Sequence, residues 1–206
     1  MLPAFRLFLA TAAVGAVAAS QADAAAIVVG NAGNSNANVL FHGTGTVDAG
    51  LTVIGAIQND GMLVRFVSDT SLETQANGQA YIRAAAPASG FDDLLIEPVD
   101  PASTAISSLV FKVEGQTAGT LTITGNLIGG GSFSESFFVP VHGGGSGFFT
   151  VMSDTGMPLS SVSLTSTGLL SSIRQVRLNL ADVTVPEPTF GAAGLAALAL
   201  MAKRRR

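Results

Sequence analysis

Cysteine and tryptophan are absent from the 206 residues, tyrosine occurs once and histidine twice. Without cysteine there is no disulfide framework, no thiolate nucleophile and no thiolate zinc site. Charge is scarce as well, at 12% of the residues, about half the usual share. Ten basic residues face 14 acidic ones, for a net charge of −4. So acidic a chain offers little to phosphates, and no nucleic acid partner is expected. Acid–base chemistry near neutral pH would fall to His42 and His142. His42 ends the apolar run Val39-Leu40-Phe41, His142 precedes a glycine tract, and no spacing makes them a metal pair. The tract Gly143-Gly144-Gly145-Ser146-Gly147 lacks the spacing of a Gly-x-Ser-x-Gly nucleophile elbow and reads as a flexible loop. No catalytic residue, cofactor or metal is assigned. The chain is expected to be non-enzymatic.

What is present is a long middle, residues 25–184, built of short alternating segments between turn formers. Met62-Val64-Phe66 places apolar side chains on one face with Arg65 on the other, and Leu109-Phe111-Val113 does the same around Lys112. Leu121-Ile123, Val162-Leu164 and Val176-Leu178-Leu180 continue the period of two, which is the strand signature. Asn59-Asp60-Gly61 predicts a hairpin turn. Further breaks fall at Asn77-Gly78, Ser89-Gly90, Pro98 to Pro101, Gly129 to Gly131 and Gly143 to Gly147. About ten strands result, with one helical turn conceivable at Ser71 to Ala80 and a last strand at about Ile173 to Thr184. The expected fold is all-β, an antiparallel β-sandwich of jelly-roll type, with a closed barrel as the alternative.

Five basic side chains (Arg65, Arg83, Lys112, Arg174, Arg177) and twelve acidic ones leave this middle near −7. The acids gather at Asp92, Asp93, Glu97 and Asp100, where calcium would need six to eight oxygens. Adjacent Asp92 and Asp93 face opposite sides of a strand, so solvated strand and loop ends explain the cluster better. Sugar-binding faces rely on Trp and Tyr, and only Tyr81 is available. The adjacent pairs Phe137-Phe138 and Phe148-Phe149 must each send one ring away from the core or onto a second layer. A polar stretch from Gly30-Asn31 to Asn38 offers weak glycan contacts.

The ends are of another kind. One basic side chain, Arg6, is followed by the uncharged run Leu7 to Ala19 and by Ala22-Asp23-Ala24, a small-x-small cleavage pattern. That is the layout of a secretory signal peptide over residues 1–24, which implies Sec-type export. At the other end Val185-Pro186-Glu187-Pro188 precedes an uncharged run to Ala202 and the tail Lys203-Arg204-Arg205-Arg206. The two prolines fix φ and remove donors, so this segment is extended and accessible. A helix over 189–202 would span about 21 Å, short of the roughly 30 Å hydrocarbon core. It predicts a short transmembrane helix that anchors weakly. The four terminal cations should stay on the cytoplasmic side, leaving the middle outside.

Residues 185–206 together resemble the PEP-CTERM sorting signal of exopolysaccharide-producing Gram-negative bacteria, and the resemblance covers only this part. It implies recognition by an exosortase, release from a transient membrane anchor, and delivery to the cell surface or the exopolysaccharide matrix of a biofilm. The expected role is structural, with a glycan- or ligand-binding module of the envelope as the alternative. Because the last strand runs almost directly into the motif, the attached domain should lie close to the membrane.

Overall fold

The computed structural model describes residues 25–32, 37–75, 80–86, 88–141, 147–153 and 157–183. The proposed signal peptide with Ala22 and Ala24, the motif Val185–Pro188, the apolar run after it, the tail Lys203–Arg206, and His142 all lie outside these residues. Among the described residues no helix is long and apolar enough to cross a membrane.

Among the described residues eleven strands form: β1 (Ala26–Val29), β2 (Val39–Leu40), β3 (Ala49–Ile57), β4 (Leu63–Thr74), β5 (Tyr81–Ala84) and β6 (Phe91–Pro98), then β7 (Thr104–Gly115), β8 (Gly119–Leu127), β9 (Ser132–Val139), β10 (Phe148–Met152) and β11 (Leu159–Asp182). The alternation that predicts them is the alternation they bury. Val64 and Phe66 of β4 are inside while Arg65 between them pairs with Glu97 at 2.7 Å. In β7 the consecutive residues Leu109, Val110 and Phe111 are all buried, because both faces of this strand are covered. The hairpin at Asn59-Asp60-Gly61 is present, with Asn59 at φ 81° and Gly61 at φ 69°, and Ile57 and Met62 bonded across it at 2.8 Å.

Among the described residues the strands do not form two separate facing sheets. The all-β expectation holds, but the sandwich gives way to one continuous sheet with a barrel core. Strand β11 is the reason. Its first half pairs with β8 on one edge and β6 on the other, and its second half with β7 and β5. Leu159 and Leu180, near its two ends, both lie beside Ile106 of β7, so the strand turns a corner between them. Strands that pass from one layer to another at such corners merge two layers into one sheet. From β11 the path runs through β5 and β6 to β4, β3 and β2. It returns to β11 through the Asn38–Arg177 bridge and the bond from Leu178 N–H to Ala37 O, 3.0 Å. Closure removes the free edges that a sandwich would leave on this side. Phe66, Phe91, Phe111, Leu94, Leu109 and Ile123 are among the large side chains sealed inside.

Three local expectations need correction. Ser71 to Thr74 is not a helical turn. It belongs to β4, where Leu72 pairs with Ala84 and Thr74 with Ile82, and this non-local ladder overrides local preference. Residues 76–79 of that stretch lie outside the described ones. Val162-Leu164 and Val176-Leu180 are not separate strands but two parts of β11, and the strand that was expected to start at Ile173 starts at Leu159.

The corner in β11 is made by close approach of backbones. A Cβ on Gly168 would lie 2.6 Å from the Ala118 carbonyl oxygen, and one on Gly119 would lie 2.3 Å from the Gly168 nitrogen. Side-chain hydroxyls bond the backbone where the ladder breaks. Thr117 Oγ1 accepts from Leu169 N–H at 2.7 Å, and Thr167 Oγ1 accepts from Thr120 N–H at 2.9 Å.

Candidate functional site

The acidic cluster expected at Asp92, Asp93, Glu97 and Asp100 is divided by the fold. Glu97 is held by Arg65. Asp100 caps the turn after β6, accepting from Ser103 Oγ at 2.6 Å and from Ala102 N–H at 3.3 Å. The Ser103 hydroxyl holds its pKa below the ordinary carboxylate value. Asp92 and Asp93 instead meet Asp69, a residue that nothing in the sequence singles out. The three carboxylates lie within 4.8 Å of one another. The pairing of Val67 with Leu95 carries β4 past β6 so that Asp69 arrives beside Asp93. Asp93 Oδ1 accepts from Ser68 Oγ at 2.9 Å and from Asp69 N–H at 3.3 Å.

Burial, and then the Asp69 carboxyl, push the Asp93 pKa above its ordinary 3.8. A carboxyl whose pKa is raised by folding favours the folded state fully below the unfolded value. That contribution is lost as pH rises through the folded value. Asp69→Asn is therefore expected to bring the Asp93 titration down toward 3.8 and to flatten the pH dependence of stability just above it. Carboxyl chemical shifts followed by NMR would measure this. An unmoved Asp93 titration would show that Asp69 contributes nothing.

A second arrangement crosses the outer face of β4, β5, β11 and β7. In one row stand Glu73, Arg83, Ser172 and Glu114; in the next, Tyr81, Arg174 and Lys112. Three of the five cations of residues 25–184 therefore collect here, around the only tyrosine. Arg83 bonds Glu73, and that carboxylate raises the already high Arg83 pKa. Arg174 Nη2 lies 2.8 Å from Glu114 Oε2, and Arg174 Nε donates to Ser172 Oγ at 3.1 Å. The Arg174 guanidinium is 4.6 Å from the centre of the Tyr81 ring, and that of Arg83 is 5.8 Å away. Each exposed ion pair contributes about 0–1 kcal/mol, so the network orients side chains more than it stabilises the fold. Beside it opens a cleft of about 380 Å³ lined by Gln75, Ala80, Tyr81, Arg174 and Gln175. Gln175 sits where the β11–β7 register shifts, in the left-handed region at φ 53°. Its N–H is held by Ala80 O at 2.8 Å.

The adjacent phenylalanines divide as expected. Phe149 is buried against Phe111 and Phe137, at ring separations of 5.8 and 5.0 Å, while Phe138 is 72% exposed. With Val29, Ser136 and Pro140, the rings of Phe137, Phe138 and Phe149 line a groove of about 360 Å³. His42 is exposed in the turn after β2. Of the polar stretch from Gly30 to Asn38, Gly30 O accepts from Thr150 Oγ1 at 2.7 Å and the Asn38 amide donates to Gln58 Oε1 at 3.0 Å. Compared with protein-family models, with curated proteins and with solved structures, the chain matches none.

Proposed function

We propose that this chain is an exported β-domain protein, delivered to the cell surface or the exopolysaccharide matrix by exosortase processing at Val185-Pro186-Glu187-Pro188, and structural rather than enzymatic in its role. The observation that carries this reading is the order of parts after the domain: motif, short apolar run, and the cations Lys203 to Arg206. The position of the domain's ends supports it. The last strand ends at Asp182, and Val183 N–H is still bonded to Ser103 O at 2.9 Å, two residues before the motif. A protease at the membrane would meet the motif close against the folded domain.

The register of the sheet adds a second support. Ala26 pairs with Met152, Met152 with Ser108, and Ser108 with Asn179. The start of β1 and the end of β11 therefore leave the same end of the sheet, three strand spacings or about 14 Å apart. A domain arranged this way can fold while membrane segments hold it at both ends.

In the native host, Pro186→Ala combined with Pro188→Ala is expected to leave full-length precursor in the membrane fraction, while the unaltered chain yields a shortened mature form. Intact-mass measurement of both fractions reads the result. A double variant with the normal mature mass and location would overturn the sorting proposal. The second reading, a glycan- or ligand-binding module, is favoured by the cleft beside Tyr81.

A further inference from the structure

We propose that the cleft between β5 and the β11 bulge binds carboxylated sugars, with Arg174 taking the carboxylate and Gln75 and Gln175 taking ring hydroxyls. This deepens the binding-module reading and is independent of the sorting signal.

Three observations converge on the site. The first is charge. On a domain near −7, Arg83, Lys112 and Arg174 share one sheet face with only Glu73 and Glu114 among them. An anionic ligand is repelled elsewhere and least opposed here. The second is preorganisation. Arg174 is fixed by Glu114, by Ser172 and by the Tyr81 ring. Glu114 and Ser172 take its Nη2 and Nε, which leaves the Nη1 side of the five-donor guanidinium for a ligand carboxylate, and little side-chain freedom remains to be lost on binding.

The third is backbone strain. A left-handed φ is costly for a residue with a Cβ, and glycine is the residue that adopts it readily. Gln175 holds this conformation at φ 53°, at an irregularity of the long strand that turns its side chain position toward the cleft. Strain of this kind, about 1–3 kcal/mol per residue, concentrates at ligand sites, and bulges serve to re-aim side chains there. The chain carries 24 glycines and places none at this position, where a side-chain amide stands instead.

The lining also decides between ligand classes. A bare carboxylate or a phosphodiester only accepts hydrogen bonds, and donors alone would satisfy it. Each glutamine carries an acceptor oxygen as well as two donors. Sugar hydroxyls, which donate and accept, satisfy both. A uronic acid unit within a polysaccharide presents the carboxylate and the hydroxyls together.

The test is calorimetric titration of the full-length protein in detergent with a galacturonic acid hexamer, and with a neutral glucose hexamer as the second arm. Saturable binding of the acidic oligomer, weakened by salt and stronger than that of the neutral one, is expected. Gln175→Gly should keep or raise the melting temperature, since it relieves the left-handed strain, yet raise Kd about tenfold. Arg174→Lys keeps the charge, loses the planar fork, and should raise Kd by a similar factor. Equal binding of both oligomers would overturn the acidic-sugar proposal and leave the binding-module reading standing. Binding of neither would overturn both. An unchanged Kd in Gln175→Gly, or in Arg174→Lys should the first variant not fold, would remove the site from this cleft.

Discussion

Gly168→Ala should cost about 3 kcal/mol of folding stability, a drop of roughly 10 °C in Tm for a domain of this size. The new methyl carbon would stand 2.6 Å from the Ala118 carbonyl oxygen and 2.9 Å from that of Thr117. Neither is the far end of a flexible side chain. The obstructing atoms are backbone, tied into the corner by the bonds from Gln116 and Thr117 N–H to Leu169 O at 2.7 and 3.1 Å. Relief requires β8 to move away from β11, which breaks the ladder from Leu121 to Leu127. Gly147→Ala is the control, because its Cβ would meet only the Phe149 ring at 3.6 Å, an ordinary contact. Thermal unfolding of both variants decides. Equal melting temperatures would mean that the corner is looser than described.

Phe66→Ala is expected to be as severe, at about 4 kcal/mol. The ring is fully buried and meets Phe41 at a centroid separation of 5.7 Å. It therefore packs the interior where β4, β3 and the residues after β2 come together, and its removal leaves a hole lined by strands that hydrogen bonds hold in place. Phe138, chemically identical and 72% exposed on β9, should tolerate the same truncation within about 0.5 kcal/mol. Denaturant titration of the two variants measures the difference directly. A costly Phe138→Ala with a harmless Phe66→Ala would reverse the assignment of inner and outer faces.

These two phenylalanines also mark the boundary of what was legible in the sequence. The period of two around Arg65 and Lys112 places Phe66 and Phe111 inside without any structure, because side-chain direction in a strand depends only on position along it. The turn at Asn59-Asp60-Gly61 is equally local. Closure of the sheet is not. It depends on Asn38 finding Arg177 and on Leu159 and Leu180 reaching the same residue of β7, pairings between positions far apart along the chain. Between Thr165 and Ser171, hydroxyl groups bond backbone groups around the corner.

The candidate sites follow the same division. Asp92 and Asp93 stand next to each other and were visible as an acidic pair, but Asp69 joins them only through the register of β4 against β6. Tyr81 was visible as the only tyrosine. Its partners Arg174 and Gln175 lie more than ninety residues later, and nothing short of the β5–β11 pairing brings them beside it. Glu97 and Asp100, by contrast, belonged to the visible cluster and leave it, Asp100 for its neighbours Ala102 and Ser103 and Glu97 for Arg65 across the β4–β6 pairing.

The central position of β11 has a consequence for the order of events in the cell. Strands β5, β6, β7 and β8 all take it as a neighbour, yet it is the last strand of the domain to be synthesised. Until Asp182 has emerged, the earlier strands are left with unpaired edges and cannot finish the sheet. Completion of the sheet would therefore coincide with the arrival of this one strand. Assembly of the sheet is timed by the position of a single strand in the message.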